Sequence, residues 1–301
     1  MFRLAYPEGE YVQMARRAMT LWRQVEEDAG RELLVTTGGI DYGDPDSVQA
    51  ITAALARSGV SHEVFGPAEA AERWPGFVFD GPVLYQPDAG RVSADAAVRA
   101  LQLRAADHGA SVRFDEAVRG IAPQPDDTVV VTTDSGEYQA SSVVVTAGAW
   151  VGSLLEGLVD LPQLTVTREQ VFHFPSRTDE TPWPVFICHG GTFVYGLQAP
   201  SEEGVKVAEH HTGAVTTTDE RSFEIDEIGR QRVIRHVTRW MPGLEPAPTS
   251  STTCLYTNTP DESFVIERRG PIVVGSPCSG HGFKFVPLIG QRLAQLATGR
   301  A

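Results

Sequence analysis

The 301-residue sequence predicts an α/β chain, α+β overall, in which parallel α/β segments alternate with antiparallel segments. Two short apolar runs, Ser142–Thr146 and Pro271–Gly275, lead into small-residue turns, which is typical of buried parallel strands. Between Gln163 and Val207, strand-like runs instead follow one another with tight turns at Gly190-Gly191 and Glu203-Gly204. This pattern predicts an antiparallel sheet. We therefore expect two domains, each assembled from separate pieces of the chain.

The elements follow from local patterns, taken in chain order. Apolar residues recur at helical spacing, as in Val12, Ala15, Met19 and Trp22, and glycine or proline ends several of these segments. Helices are expected at Tyr11–Asp28, Ser47–Ser58, Pro67–Trp74, Ala94–His108, Phe223–Trp240 and Gly290–Thr298, with a helix start at Val151–Leu155. Strands are expected at Glu32–Gly39, Val112–Phe114 and Val129–Thr133, the last forming a hairpin about Asp134–Gly136, and a strand followed by a loop is expected at Val83–Gly90. One predicted domain comprises residues 1–30, 88–160 and 256–301, and the other comprises residues 31–87 and 161–255.

Composition excludes several classes of partner. The chain has 25 Lys and Arg against 39 Asp and Glu, a net charge of −14. This argues against nucleic acid and anionic membrane surfaces, which require clustered basic residues. No apolar run reaches the length of a membrane span, and the N-terminus has no signal-peptide pattern, so we expect a cytoplasmic protein. Three irregularly spaced cysteines indicate neither a disulfide framework nor a zinc site.

Two motifs near the C-terminus carry a family resemblance. Thr253-Cys-Leu-Tyr-Thr-x-Thr-Pro-Asp261 is followed by Ser279-Gly-His-Gly-Phe-Lys-Phe285. Together they resemble the monomeric sarcosine oxidase and N-methyltryptophan oxidase family, flavoenzymes of the glutathione-reductase-like class. The family's order is kept over the whole chain by Arg3–Tyr6, Arg73–Gly76, Ala147–Trp150 and Gly204–Lys206. The resemblance implies that 1–30, 88–160 and 256–301 form an FAD-binding domain and that the other segments form the substrate domain.

The sequence departs from the family at both ends. No G-x-G-x-x-G occurs, and Met1 falls about one βαβ unit inside the family's pattern. The missing first strand would be central in the parallel sheet, and its turn would place the pyrophosphate at a helix N-terminus. The chain also ends before the family's last strand. Two expectations stay open: a start misplaced upstream, or a fragment with reduced or absent FAD binding.

The resemblance implies which residues contact the flavin. Cys254 matches the covalent attachment point, through the flavin 8α-methyl, although most free cysteines are buried small hydrophobes. The turn Ala147-Gly148-Ala-Trp150 matches the strand-to-helix connection beside the flavin, and an ordinary tight βα connection is compatible with the same pattern. The remaining residues expected at the cofactor are Gly280, Gly282, Phe283 and Lys284.

Arg3 and Lys284 match the pair that holds the substrate carboxylate. A guanidinium and an ammonium suit one small anion. The alternatives are a frayed terminal charge for Arg3 and a snorkelling surface side chain for Lys284. Lys206 matches the lysine placed over the flavin to promote reaction with oxygen, and an outward-facing strand residue would have the same pattern.

His210, Tyr256 and His281 match residues that line the substrate pocket, where they orient the substrate amine. Hydrogen-bonded structural histidines are the alternative. The adjacent His210 and His211 do not suggest a metal site, because neighbours on a strand face opposite ways.

The first functional hypothesis is an FAD-dependent oxidase of a small N-methyl or secondary amino acid, of sarcosine or N-methyltryptophan type. Its products are an imine, hydrolysed to formaldehyde and an amine, and hydrogen peroxide. Its partners are then an amino acid and oxygen, without nucleic acid or membrane, and by resemblance it is a monomer. The alternatives are a catalytically silent remnant, a small-molecule binding module without flavin, and a flavin-dependent dehydrogenase that passes electrons to another acceptor.

Overall fold

The computed structural model describes residues 1–177, 183–199 and 203–299. The helices are α1 Gly9–Ala29, α2 Pro45–Arg57, α3 Pro67–Arg73, α4 Ala94–Asp107, α5 Val151–Leu154, α6 Glu227–Trp240 and α7 Val286–Thr298. The first strands are β1 Leu34–Thr36, β2 Gly39–Gly43, β3 Glu63–Phe65, β4 Val83–Gln86, β5 Gly90–Val92, β6 Val118–Pro123, β7 Val129–Thr133, β8 Gly136–Ala140 and β9 Val143–Val145. The later strands are β10 Thr165–Phe174, β11 Val185–His189, β12 Val194–Gln198, β13 Val205–Glu209, β14 Ala214–Val215, β15 Ser250–Asn258, β16 Val265–Arg269 and β17 Ile272–Ser276. The predicted mixture of α/β and antiparallel segments is confirmed.

The chain divides into two units, each built from separate segments. The first unit comprises Met1–Ala97, Arg168–Ala214 and Ser222–Cys254, and the second comprises Val98–Thr167, Val215–Arg221 and Leu255–Ala301. The N-terminal helix α1 thus packs with the first unit, whereas the sequence places it in the cofactor domain. Compact units and functional domains are defined differently, so the predicted domain assignment stays a prediction.

The first unit contains a large mixed sheet, with strand order β10-β13-β12-β11-β2-β4-β3. Its β10 to β13 part is antiparallel, as the alternating pattern predicts, but β11 pairs with β2 in parallel, with Val185 opposite Gly39. One face of this sheet packs into an aromatic-rich core that includes Phe172, Phe186 and Trp183. This core holds the strands that carry the candidate site.

Helix ends in the first unit follow their capping residues. The Asp44 carboxylate accepts a hydrogen bond from the Ser47 N–H at 2.9 Å, and Pro45 occupies the first turn of α2. The sequence predicts that α6 begins at Phe223, but it begins at Glu227. Asp226 caps this helix through the Ile228 and Gly229 N–H groups, at 3.1 and 2.8 Å. The apolar pattern upstream of Asp226 therefore does not extend the helix.

The second unit contains a three-stranded sheet of order β16-β17-β9. The strand β17 is buried along its length and pairs in parallel with β9, so the prediction for Pro271–Gly275 is confirmed. A second sheet contains the predicted hairpin, with Thr133 opposite Gly136. Apolar residues of β7, β9 and β17 share one core, including Val129, Val145 and Val274.

Two strand predictions in the second unit need correction. No strand forms at Val112–Phe114, and Phe114 is 69% exposed, because this segment pairs with no described strand. The strand at β9 forms, but it is not buried throughout, since Val144 is 40% exposed. Among the described strands, β9 pairs with β17 alone, so β9 lies at the edge of this sheet.

Candidate active site

A lysine and a thiol come together in the first unit. In β13, Val205 and Val207 are fully buried in the core, so alternation places Lys206 on the opposite face of the sheet. Burial lowers the pKa of the Lys206 ammonium, and the nearby Cys254 thiol partly offsets this shift. Cys254 is half-buried and forms no disulfide with a described residue. The predicted flavin attachment point and the predicted oxygen-activating cation are therefore neighbours.

The surroundings of Lys206 are polar and aromatic. Its Nζ lies 5.8 Å from the centroid of the Tyr195 ring. His173 is directly opposite Lys206 across the β10–β13 ladder. Burial lowers the pKa of the His173 imidazole; the Glu203 carboxylate raises it, and the Lys206 ammonium lowers it further. The face therefore favours neutral imidazole next to a desolvated ammonium.

His210 lies just beyond β13, in a cluster of rings. Its ring centroid lies 5.1 Å from that of Phe193, 5.9 Å from that of Tyr195 and 4.0 Å from that of His211. The sequence argument that His210 and His211 face opposite ways is wrong, because β13 ends at Glu209 and His211 has a positive φ of 57°. The turn brings the two imidazoles together.

Two buried carboxylates hold this turn. The Glu169 carboxylate accepts hydrogen bonds from the Thr212 and Gly213 N–H groups at 3.3 and 3.1 Å. Glu209 forms an ion pair with Arg232 of α6 at 2.7 Å. Because both carboxylates are almost fully buried, the position of the histidine pair is fixed by the sheet and by α6.

Arg3 is not a frayed terminal charge. It is half-buried, its guanidinium carbon lies 4.3 Å from the Tyr6 ring centroid, and its buried Nη1 has no hydrogen-bond partner in the described structure. It lines a crevice, too narrow for a water molecule, together with Asp41 and Gln86. The Gln86 side-chain carbonyl accepts from the Leu4 N–H at 2.8 Å, while its buried Nε2 has no partner among the described residues.

In the second unit, the loop after β17 encloses Lys284. The lysine is 5% exposed, which contradicts a snorkelling surface side chain, and its Nζ donates to the His281 carbonyl at 2.6 Å. The His281 ring lies 4.8 Å from the Phe264 ring, and its Nε2 is 3.2 Å from the Glu262 carbonyl oxygen. Tyr256 lies in β15, half-buried.

Small residues shape this loop. A Cβ on Gly282 would overlap the Pro277 carbonyl oxygen, so the glycine permits a close backbone approach. Ser279 and Gly280 both have positive φ, 55° and 77°. Phe283, by contrast, is 40% exposed. The predicted Gly280–Lys284 segment is thus a tight loop with a buried cation.

The turn after β9 borders a cavity of about 590 Å³, lined by Ala147, Trp150 and neighbouring residues of the second unit. Gly148 has a φ of 55°, and a Cβ there would meet open space. Trp150 is 52% exposed. Because Ala147 and the Trp150 indole line one cavity, these two residues fit a planar aromatic group such as part of a flavin nucleotide.

Sequence reasoning missed a hydrogen-bonded pair of a half-buried histidine and a buried aspartate near Arg3. His189 Nε2 hydrogen-bonds the Asp41 carboxylate at 2.9 Å, although the two residues are 148 positions apart. It also missed Arg91, whose Nε and Nη1 are buried without partners in the described structure. No local motif marks either, because the parallel β2–β11 pairing and the β1–β5 pairing that place them are non-local.

Comparison with known proteins indicates the class of protein to which the chain belongs. The profile of the family described as FAD dependent oxidoreductase matches residues 2–296. The peroxisomal sarcosine oxidase of Mus musculus is 33% identical over 99% of this chain and 80% of its own length. The N-methyl-L-tryptophan oxidase of Yersinia pestis (strain Pestoides F) is 29% identical over 99% of this chain and 82% of its own.

Among solved structures, NikD, described as an unusual amino acid oxidase essential for nikkomycin biosynthesis, has a TM-score of 0.86. It is 26% identical, over 98% of this chain and 81% of that one. The fold is therefore that of flavin-dependent amino acid oxidases. The chain belongs to the FAD dependent oxidoreductase family, and the resemblance to sarcosine and N-methyltryptophan oxidases is confirmed.

Within 1–177, 183–199 and 203–299, no group of three or more His, Cys, Asp or Glu side chains could hold a metal ion. Among the same residues, no helix has the length and apolar character needed to cross a membrane. The predicted roles of the individual site residues, the cytoplasmic location and the monomeric state stay predictions.

Proposed function

We propose that this protein is an FAD-dependent oxidase that oxidises the C–N bond of a small N-methyl or secondary amino acid, of sarcosine or N-methyltryptophan type. The observation that carries the proposal is the proximity of the Cys254 thiol to the buried Lys206 ammonium. The products are an imine, which hydrolyses to formaldehyde and an amine, and hydrogen peroxide.

The residues available for the cofactor lie in both units, and each set is considered by itself. In the first unit, the proposed covalent link is a thioether between Cys254 Sγ and the flavin 8α-methyl. In the second, Ala147 and Trp150 at the cavity, the adjacent Gly148, and the Gly280–Lys284 loop are proposed to contact the cofactor. When bound, the flavin supplies the two-electron oxidising power for the C–N bond.

Arg3 is the proposed ligand of the substrate carboxylate. Its buried Nη1 has no acceptor among the described residues, so a carboxylate would satisfy a donor that the protein leaves open. Lys284 is the second proposed carboxylate ligand, on the resemblance alone, since its Nζ already donates to the His281 carbonyl. His210, Tyr256 and His281 are proposed to orient the substrate amine and to move its proton.

Lys206 is proposed to promote the reaction with oxygen. Negative charge develops on dioxygen as it takes up its first electron, and a fixed ammonium stabilises that charge. Burial strengthens the interaction because fewer water molecules screen it. The lowered pKa of Lys206 records this burial. A desolvated cation therefore favours oxygen as the electron acceptor, and hence an oxidase over a dehydrogenase.

The proposal is tested by the colour of the purified protein before and after acid precipitation. We expect yellow protein whose colour stays with the pellet, because a thioether survives denaturation. Cys254→Ser should release the flavin to the supernatant, while Cys278→Ser, a control at another half-buried thiol, should not. Protein that stays colourless with added FAD would overturn the proposal and favour a binding module or a silent remnant.

A further inference from the structure

A short ladder at the start of the chain carries two arginines. Phe2 and Gly90 form an antiparallel bridge, in which each N–H donates to the other's carbonyl at 2.7 and 2.9 Å. Arg91 follows Gly90 in β5, where it lies opposite Val35 of β1. Because side chains alternate along a ladder, Arg3 and Arg91 share one face and Phe2 points to the other.

The two faces differ in burial. Phe2, Leu34 and Val92 are at most 9% exposed and pack into the core. Arg3 and Arg91, on the opposite face, are only half-buried. Neighbours of the two arginines on that face, Met1 and Ala89, line the same crevice as Arg3. Arg3 and Arg91 are therefore more exposed than the residues on the opposite face of the ladder.

The register of the ladder places Arg3 and Arg91 near each other along the backbone. The bridge places Arg3 opposite Ala89, so Arg3 and Arg91 are diagonal neighbours. Diagonal neighbours in an antiparallel ladder are about 7–8 Å apart, within reach of long side chains. In a chain of net charge −14, this is a local concentration of positive charge.

Several nitrogen atoms of the two guanidinium groups lack a hydrogen-bond partner among the described residues. Arg3 Nη1, Arg91 Nε and Arg91 Nη1 are buried, and the described residues offer them no hydrogen-bond partner or ion pair. The carboxylate of Asp41, which lines the crevice beside Arg3, is hydrogen-bonded to His189. Buried charged donors without acceptors are costly, and an anionic ligand recovers that cost on binding.

We propose that Arg3 and Arg91 together select a dicarboxylic secondary amino acid, an N-alkyl aspartate or glutamate. Arg3 pairs with the α-carboxylate and Arg91 with the side-chain carboxylate, each through charge-assisted hydrogen bonds. A single carboxylate would leave one of two neighbouring arginines unpaired. This inference rests on the proposed function and narrows its substrate class. The alternative partner of Arg91 is an anionic group of the cofactor, and the experiments below distinguish a substrate carboxylate from a cofactor group.

The first experiment measures binding without turnover. Succinate and its monoamide, succinamate, have nearly the same shape and differ by one negative charge. Titration calorimetry of the purified, flavin-loaded protein should show succinate binding roughly tenfold or more tighter, the gain from one charge-assisted pair. Arg91→Gln should remove most of this preference and Arg91→Lys should restore part of it. Arg31→Gln, the same charge change at an exposed position of the first unit, should leave it intact.

The second experiment measures turnover. The ratio of kcat/KM for N-methylaspartate over N-methylasparagine should fall roughly tenfold or more in Arg91→Gln and should not change in Arg31→Gln. Thermal melts of each variant report whether it is folded. A wild-type protein that does not distinguish succinate from succinamate overturns the inference, whatever the variants do.

The remaining outcomes separate the inference from the proposed function. If Arg91→Gln instead lowers flavin content and weakens both substrates equally, Arg91 serves the cofactor and the inference fails. If N-methylasparagine or sarcosine is oxidised without preference for the dicarboxylate, the inference fails and the oxidase stands. If succinate is preferred but no secondary amine is oxidised, the arginine pair stands and the proposed function fails.

Discussion

At the residue scale, the effect of Lys206 on oxygen depends on its charge. Lys206→Met should slow oxygen consumption by on the order of a hundredfold or more while leaving reduction by substrate less affected, because the ammonium acts on dioxygen. In the wild type, the rate with oxygen should fall as pH rises through a pKa below the usual lysine value of 10.5. Stopped-flow absorbance under anaerobic and aerobic conditions separates the two half-reactions.

Lys206→Arg is the matched control for this prediction. It keeps the positive charge, and its pKa lies above the accessible range, so it should retain oxygen reactivity and lose the alkaline decline. Wild-type rates in Lys206→Met would contradict the role given to the cation.

His236 of α6 makes stability depend on pH. Its Nε2 is buried without a partner in the described structure, and burial lowers its pKa to about 4, partly opposed by Glu209. The unfolded chain therefore binds more protons between about pH 6.5 and 4, so stability falls as pH falls through that window. Urea unfolding should show a loss of about 1–3 kcal/mol across it, and His236→Gln should show a smaller slope.

At the scale of elements, the loop between β17 and α7 depends on the close approach at Gly282. Gly282→Ala would force its Cβ against the Pro277 carbonyl and should destabilise the fold by about 1–3 kcal/mol or more. Gly290→Ala lies a few residues later, at an exposed position inside α7 with open space around it. It should stabilise by about 0.5–1 kcal/mol. Thermal melts should therefore show a lower melting temperature for Gly282→Ala and a higher one for Gly290→Ala. Opposite shifts would show that the close backbone approach at Gly282, and not the loss of a glycine as such, causes the destabilisation.

Element prediction succeeded where the signal was local. Periodicity located α1 and α2 to within a few residues, and the Asp134–Gly136 turn located the β7–β8 hairpin. It failed at α6, because the Asp226 cap overrides the apolar residues before it. It failed at Val112–Phe114, because β-type residues form a strand only where a partner lies alongside.

At the scale of the whole molecule, added FAD should affect the thermal stability of Cys254→Ser but not that of the flavin-loaded wild type. A ligand that binds only the folded state raises the melting temperature with its free concentration, whereas a covalently attached one cannot dissociate. We therefore expect the melting temperature of Cys254→Ser to rise with added FAD and that of the flavin-loaded wild type to be unaffected. Differential scanning calorimetry over a hundredfold range of FAD tests this. A melting temperature of the wild type that rises with FAD concentration would argue against the thioether.

The candidate site could be predicted only in part. Motif context drew attention to Cys254, Lys206 and Lys284, and the structure shows that the first two are neighbours. Arg91 and the Asp41–His189 pair were missed, since their environment depends on pairings between distant segments. A sequence shows which groups are available, but the burial and unmet hydrogen bonds that give them chemical meaning arise only in the folded chain.

The parallel pairing of β11 with β2 also has a consequence during synthesis on the ribosome. Gly39 emerges long before Val185, its partner, and translation adds roughly 5–20 residues per second. One edge of β2, with its buried Ile40 and Tyr42, is therefore unmatched in the nascent chain for on the order of ten seconds. During that interval the growing chain presents a strand edge that chaperones or other nascent chains can bind, so expression yield depends on translation speed and temperature as well as on final stability.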